Sequence, residues 1–181
     1  IVQSQCKGVK VFSDIFAGTG VVGHAFNTEG VKVIVNDILY SNYLAYITWF
    51  SHKPYDKNKV RRLIREFNNL HVRKENYVSR NFGDKYFTLE NARKIGAIRD
   101  EIEGISQDLT FREKAILITS LIYAMDKIAN TCGHYDAYRK KLDTTRSLEL
   151  KIPVIRDQAN VDNEVYREDA NELVKKISSD M

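Results

Sequence analysis

The chain has 181 residues, 43% hydrophobic and 29% charged, with a formal net charge of +4, a balance that excludes a disordered polypeptide. No apolar run approaches the roughly 18 residues of a membrane-spanning helix, and the opening IVQSQCKGVK lacks the apolar core of a signal peptide, so a cytoplasmic location and no membrane partner are expected. Two cysteines, Cys6 and Cys132, exclude a disulfide-built scaffold and a four-cysteine zinc site.

Residues 9–14, VKVFSD, alternate and run into the turn-rich FAGTG, which reads as a strand entering a glycine loop. Val21, Val22, Ala25 and Phe26 follow at helical spacing, with Gly30 as a stop. Residues 31–37, VKVIVND, form a second strand rich in β-branched residues. Strand, loop, helix, strand is a βαβ unit, whose short crossover implies parallel strands.

After Asp37 the pattern turns helical. Ser41 is the expected cap of a helix carrying Tyr43, Tyr46, Ile47 and Phe50. Val60, Leu63, Ile64 and Phe67 mark another, with a cationic face from Lys57 to Arg65. Thr88 is the expected cap of a third, striped by Ile95, Ile98, Ile102 and Ile105. Phe111 to Thr131 is apolar on more than one face and reads as the buried hub of a helical subdomain. Residues 147–156 alternate again, as a strand or hairpin arm. The stretch 163–177 reads as a short strand, an acidic turn and a helix with Ala170, Leu173, Val174 and Ile177 on one side.

Charge follows the same division. Residues 50–150 hold 20 Lys and Arg against 14 Asp and Glu, whereas the flanks together hold 8 against 10. A basic middle between slightly acidic ends fits a segment that meets a polyanion, and equally a solvated helical surface.

Gly18, Gly20 and Gly23 fit G-x-G-x-x-G, and Asp37 ends the next strand nineteen residues after Gly18. Glycines allow close backbone approach to a ligand, and a carboxylate there accepts the ribose hydroxyls of an adenosine. Nicotinamide or flavin dinucleotides and S-adenosylmethionine both use this geometry. Asp14 leans toward the second, because a carboxylate before the loop repels a pyrophosphate and attracts a sulfonium and an α-ammonium. A loop-stabilising or capping role for Asp14 stays open.

FSDIFAGTGVVGHAF and VIVNDILYSNYLAY resemble the cofactor motifs of Dam-like adenine-specific DNA methyltransferases of type II restriction–modification systems, in their alpha-type motif order. FREKAILITSLIYAMDKIANTCGHYDAYRKKL is similar to that family's helical target-recognition insertion, and VYREDANELV to its third motif. The resemblance implies an α/β, Rossmann-like methyltransferase fold in part. Residues 1–49 and 151–181 would form the core, and 50–150 a helical DNA target-recognition insertion. Asp14, Phe16, Gly18 and Gly20 would cradle the methionine part of S-adenosylmethionine. Asp37 would take the ribose hydroxyls, Ile38 would pack on the adenine, and Asp169 would accept its amino group. Asp169 also suits an N-cap of the last helix. The partner implied is double-stranded DNA with a flipped adenine.

For DNA, Arg61, Arg62 and Arg65 are candidates for phosphate contacts, which give affinity without sequence information. His134, Tyr135, Tyr138, Arg139 and Lys140 form the second cluster, suited to base-edge, stacking and backbone contacts. His24, His52, His71 and His134 show no metal-ligand spacing, and no metal is expected.

The family's chemistry uses an (Asp/Asn)-Pro-Pro-aromatic tetrapeptide to hold the flipped base. The prolines here are Pro54 and Pro153, so no such tetrapeptide occurs. Its expected place is after the helix that follows Asp169, beyond Met181. A segment cut at both ends is therefore expected, with no catalytic residue of its own, inactive alone and completed by a C-terminal polypeptide. The other readings are a non-catalytic DNA-binding relic, half of a split methyltransferase, or an NAD-dependent oxidoreductase fragment.

Overall fold

A computed structural model of the protein describes residues 8–28, 30–141, 146–156 and 162–178. Cys6 and Lys7 lie outside the described residues, and so does Met181, beyond which the tetrapeptide is expected. The chain divides into two compact units, residues 1–55 with 153–181 and residues 56–152.

The first unit is built on three parallel strands in the order β1 (Val11–Asp14), β2 (Lys32–Asn36), β3 (Glu164–Tyr166). Phe12 pairs with Val33 in register, and Val35 with Val165. Val33 and Val35 point into one cluster with Phe12, Phe26, Tyr46 and Phe50, supplied by β1, α1 (Val21–Phe26) and α2 (Tyr40–Phe50). Strand alternation sends Ile34 and Asn36 to the opposite face. Val33, Ile34, Val35 and Asn36 are all buried, as expected for a central parallel strand. Gly23 lets α1 lie on that strand, since a Cβ there would stand 2.9 Å from Val35 Cγ1.

Two expected boundaries move. α1 stops at Phe26, where the Asn27 backbone N–H donates to the His24 carbonyl, well before Gly30. Ser41 caps nothing: α2 begins at Tyr40 with Leu39 at its N-cap and no side-chain cap. The carboxylate of Asp37 accepts the Leu39 N–H instead, at 2.8 Å.

The second unit holds α3 (Lys57–Asn68), α4 (Tyr77–Phe82), α5 (Leu89–Gly104), a 3₁₀ turn (Ser106–Asp108) and α6 (Phe111–Ile128). Thr88 caps α5 as expected, accepting the Asn91 N–H. Thr110 and Glu113 form a capping box on α6. Glu113 is 2% exposed and does more: it accepts the Asp56 N–H at 3.0 Å and the Lys59 ammonium at 2.9 Å, fastening α3 to α6. Helix α6 is the buried hub foreseen, with Ala115, Ile116, Leu117, Leu121, Ala124 and Ile128 inside, but it ends at Ile128 rather than Thr131. Helix α4 has no apolar stripe to announce it; it rests on an Asn76–Ser79 capping box.

Residues 147–156 form no strand among the described residues. Their alternation is still real, for Leu148 and Leu150 are buried between exposed neighbours. Helix side chains replace a partner strand. Asn68 donates to the Leu150 carbonyl at 3.0 Å and accepts its N–H at 2.8 Å. Asn91 donates to the Arg146 carbonyl and accepts the Leu148 N–H. The last helix, α7 (Ala170–Leu173), is short, and Val174 lies exposed beyond it, so the expected one-sided stripe ends at Leu173. No helix among the described residues is long and apolar enough to cross a membrane.

Candidate functional site

The glycine loop joins β1 to α1. Gly18 and Gly20 both have positive φ, at 51° and 73°, which side chains other than glycine rarely adopt. At Gly20 space is limiting too, since a Cβ would lie 3.0 Å from the Tyr46 ring. The Tyr46 hydroxyl donates to the Gly18 carbonyl at 2.5 Å, so a core residue of α2 grips the loop from beneath.

Asp37 grips it from the side. Its carboxylate accepts the Gly18 N–H at 3.1 Å, the Asn42 side-chain amide at 2.9 Å and the Leu39 N–H. Of about four lone-pair positions on a carboxylate, three are therefore filled. Asp14, at the end of β1, is half-buried. Burial pushes its carboxyl above the ordinary value of 3.8; the Phe16 N–H opposes this and the nearby Asp37 charge adds to it. Phe16 is 77% exposed and Ile38 62% exposed, so the loop and the residue after Asp37 present bare apolar surface.

Asp169 is exposed and caps α7, accepting the Asn171 N–H at 2.8 Å. Glu168, the residue before it, is tied to the strand end by Asn36, which donates to the Ile15 carbonyl at 3.1 Å and the Glu168 carbonyl at 3.0 Å. Asn36 also accepts the Glu168 N–H at 2.9 Å. Arg167 donates to the Ile38 carbonyl and lies over the Tyr40 ring, 5.1 Å from its centroid. Asn36, Asn42, Tyr46 and Arg167 are the residues sequence reasoning missed. Only Asn36 had a signal: a polar side chain ending the run VKVIV, where a buried strand should stay apolar.

In the second unit Arg61, Arg62 and Arg65 are exposed on α3. Arg62 pairs with Glu66 one turn on at 3.0 Å, and Arg61 reaches Asn58. The other cluster sits on a turn closed by an antiparallel bridge between Thr131 and Tyr138. Asn130 anchors that turn, donating to the Lys85 and Arg139 carbonyls and accepting the Arg139 N–H at its own carbonyl. Tyr135 stacks on Tyr86 at 6.0 Å, and Tyr138 meets the same ring edge-on at 5.2 Å. The Tyr135 hydroxyl donates to Asp126, and burial together with that carboxylate pushes it upward. Each of the two tyrosines keeps 46% of its surface exposed, and His134, Arg139 and Lys140 are exposed beside them.

The remaining expectation for the site, a tetrapeptide beyond Met181, falls outside the described residues, the last of which is Ser178. Parallel α/β units of this kind bind ligands outside the carboxyl ends of their strands, where Asp14, Asp37 and the glycine loop gather. The chain belongs to the D12 class N6 adenine-specific DNA methyltransferase family, whose family model matches residues 1–181. It is 32% identical over 180 residues to the type II methyltransferase M.NlaIII of Neisseria lactamica, covering 95% of this chain and 54% of that protein. It is 34% identical over 188 residues to the modification methylase StsI of Streptococcus sanguinis, covering 95% of this chain and 28% of that protein. With the type II methyltransferase M.CviAII of Paramecium bursaria Chlorella virus 1 it shares 27% over 170 residues, 90% of this chain and 51% of that protein. The chain thus spans about half the length of M.NlaIII and M.CviAII. No solved structure matches it significantly.

Proposed function

We propose that the first unit is the cofactor-binding part of a Rossmann-like methyltransferase fold and takes S-adenosylmethionine. On this reading the second unit contacts double-stranded DNA around a flipped adenine. The observation that carries this is the pairing of two strand-end carboxylates, Asp14 and Asp37, around a loop that Asp37 itself holds at the Gly18 N–H. A pyrophosphate meets repulsion there, whereas a cationic ligand relieves the strain of two neighbouring negative charges. That weighs against the dinucleotide alternative.

The residues present fit the group. Gly18 leaves open space where a side chain would stand, Gly20 lets the loop pack on Tyr46, and exposed Phe16 and Ile38 offer apolar faces for the methionine chain and the adenine, respectively. S-adenosylmethionine supplies an electrophilic methyl on its sulfonium. Asp14 holds the α-ammonium. Asp37 has one lone-pair position left, so taking both ribose hydroxyls requires the Asn42 amide to swing aside. Asp169 receives the adenine amino group with the oxygen its cap leaves free.

Arg61, Arg65, Arg139 and Lys140 contact phosphates, and Tyr135 and Tyr138 present ring surface to bases. With no Pro-Pro step among its two prolines, residues 1–181 carry no tetrapeptide of that kind to hold the target amino group, and methyl transfer needs one from outside them. Calorimetric titration with S-adenosylmethionine, run beside NAD, tests the cofactor class; binding of NAD alone overturns it. Incorporation of labelled methyl groups into DNA by the purified 181-residue chain overturns that need.

A further inference from the structure

We infer that Asn36 is a positioning residue of the cofactor site, holding the loop after β1 and the loop after β3 at a fixed spacing across β2. The inference rests on the cofactor reading above. Asn36 is the last residue of β2 and is 2% exposed. Both of its side-chain N–H groups are in use, one on the Ile15 carbonyl and one on the Glu168 carbonyl, and its side-chain oxygen takes the Glu168 N–H. Its backbone carbonyl takes the Ala17 N–H at 3.0 Å.

These contacts fall on either side of the candidate ligand groups. Ile15 and Ala17 flank Phe16 just after Asp14, and Glu168 immediately precedes Asp169. A single buried amide therefore sets where the β1 loop and the β3 loop stand relative to each other. β1 and β3 share no ladder, since β2 lies between them. Glu168 is steadied from outside as well, its carboxylate pairing with Lys176 at 2.6 Å.

The same unit contains a built-in comparison. Asn163, 5% exposed, accepts the Val33 N–H at 2.7 Å and donates to the Asn27 side chain at 2.8 Å. It is an equally buried amide at the amino ends of β2 and β3, away from the loops. Losing either amide strands buried backbone groups, so both losses lower stability. Only the loss of Asn36 releases the ligand loops.

The test compares Asn36→Ser with Asn163→Ser, each followed by thermal unfolding and by titration with S-adenosylmethionine. The expected result is a similar fall in Tm for both, a loss of affinity of about tenfold or more for Asn36→Ser, and affinity within about twofold of wild type for Asn163→Ser. Equal affinities in the two variants overturn the inference while leaving the cofactor reading intact. Absence of binding by the wild-type chain removes both. A measurement without substitution guards against misfolding: in the wild-type protein, the cofactor should slow hydrogen exchange at the Glu168 amide and leave the Val33 amide unchanged. An unslowed Glu168 amide contradicts the inference.

Discussion

Both units set buried or half-buried asparagine amides against backbone, and they do so to different ends. In the second unit Asn68 and Asn91 clip the returning segment 146–150 onto helices, doing what a neighbouring strand does in a sheet. In the first unit Asn163 takes the Val33 N–H of β2, a scaffold role of the same kind, whereas Asn36 joins two loops beyond the strands. The chemistry of the amide is the same in each case. What differs is whether the groups it joins are scaffold or ligand-facing, and that depends on where along the strand or helix the asparagine falls. The fastening of the second unit is also ionic, through Glu113 and Lys59, whereas Asp14 and Asp37 in the first unit stand close enough for one charge to oppose the other.

The largest expected effect sharpens that contrast. Glu113→Ala strands the Asp56 and Thr110 N–H groups and the Lys59 ammonium. It should cost roughly 2–4 kcal/mol, at the lower side for a buried pair because Lys59 is part-exposed. Burial pushes the Glu113 carboxyl up, but the Asp56 N–H, Lys59 and Thr110 N–H more than offset it, leaving it below its ordinary 4.5. Its contribution is therefore complete above the ordinary value of 4.5 and lost as pH falls through the depressed value. Denaturant midpoints of wild type and Glu113→Gln should converge in that acid window and stay apart near neutral pH.

Asp37→Ala acts on the other unit. Loss of the carboxylate frees the Gly18 N–H and removes the proposed ribose acceptor, and affinity for S-adenosylmethionine should fall by about ten- to a hundredfold. Affinity for DNA should stay unchanged, which filter binding at fixed salt can check. The converse substitution is Arg139→Ala with Lys140→Ala. DNA affinity should drop about tenfold, and the slope of log K against log salt should shrink by about two, at roughly 0.9 per phosphate contact. Cofactor affinity should not move.

The smallest effect is the most diagnostic of how the first unit is tuned. Because the folded state holds the Asp14 proton more tightly than the unfolded chain, ionised Asp14 opposes folding above its raised pKa, and this cost disappears as pH falls through it. Asp14→Asn should therefore stabilise the fold at neutral pH, by no more than about 1 kcal/mol after solvent screening, and raise Tm accordingly. Cofactor affinity should weaken about fivefold, as for loss of one charged partner of an ammonium at a part-exposed site. A variant that lowers Tm would show the carboxylate to be a structural cap instead.

Much of this was legible in the residues. The parallel β1–β2 pairing follows from a crossover of one short helix between two β-branched runs, and Thr88 and the α6 hub were visible as a cap and a wide apolar face. Residues 147–156 misled because period-two burial reports an extended backbone, not what that backbone bonds to. Helix α4 was invisible because six residues held by a capping box carry no periodic signal. At the candidate site the glycines and the two aspartates could be read from spacing. The grip of Tyr46 on Gly18 could not, because a tyrosine at a core position looks the same whether or not its hydroxyl finds a loop carbonyl.

The division of labour between the two units is tested most directly by hydrogen-exchange mass spectrometry of the 181-residue chain with each ligand in turn. With S-adenosylmethionine, protection should be confined to peptides from 14–20, 36–42 and 166–171. With a DNA duplex, it should fall on 57–65 and 131–141. Protection of 57–65 or 131–141 by the cofactor, or of the glycine loop by DNA alone, would contradict the account.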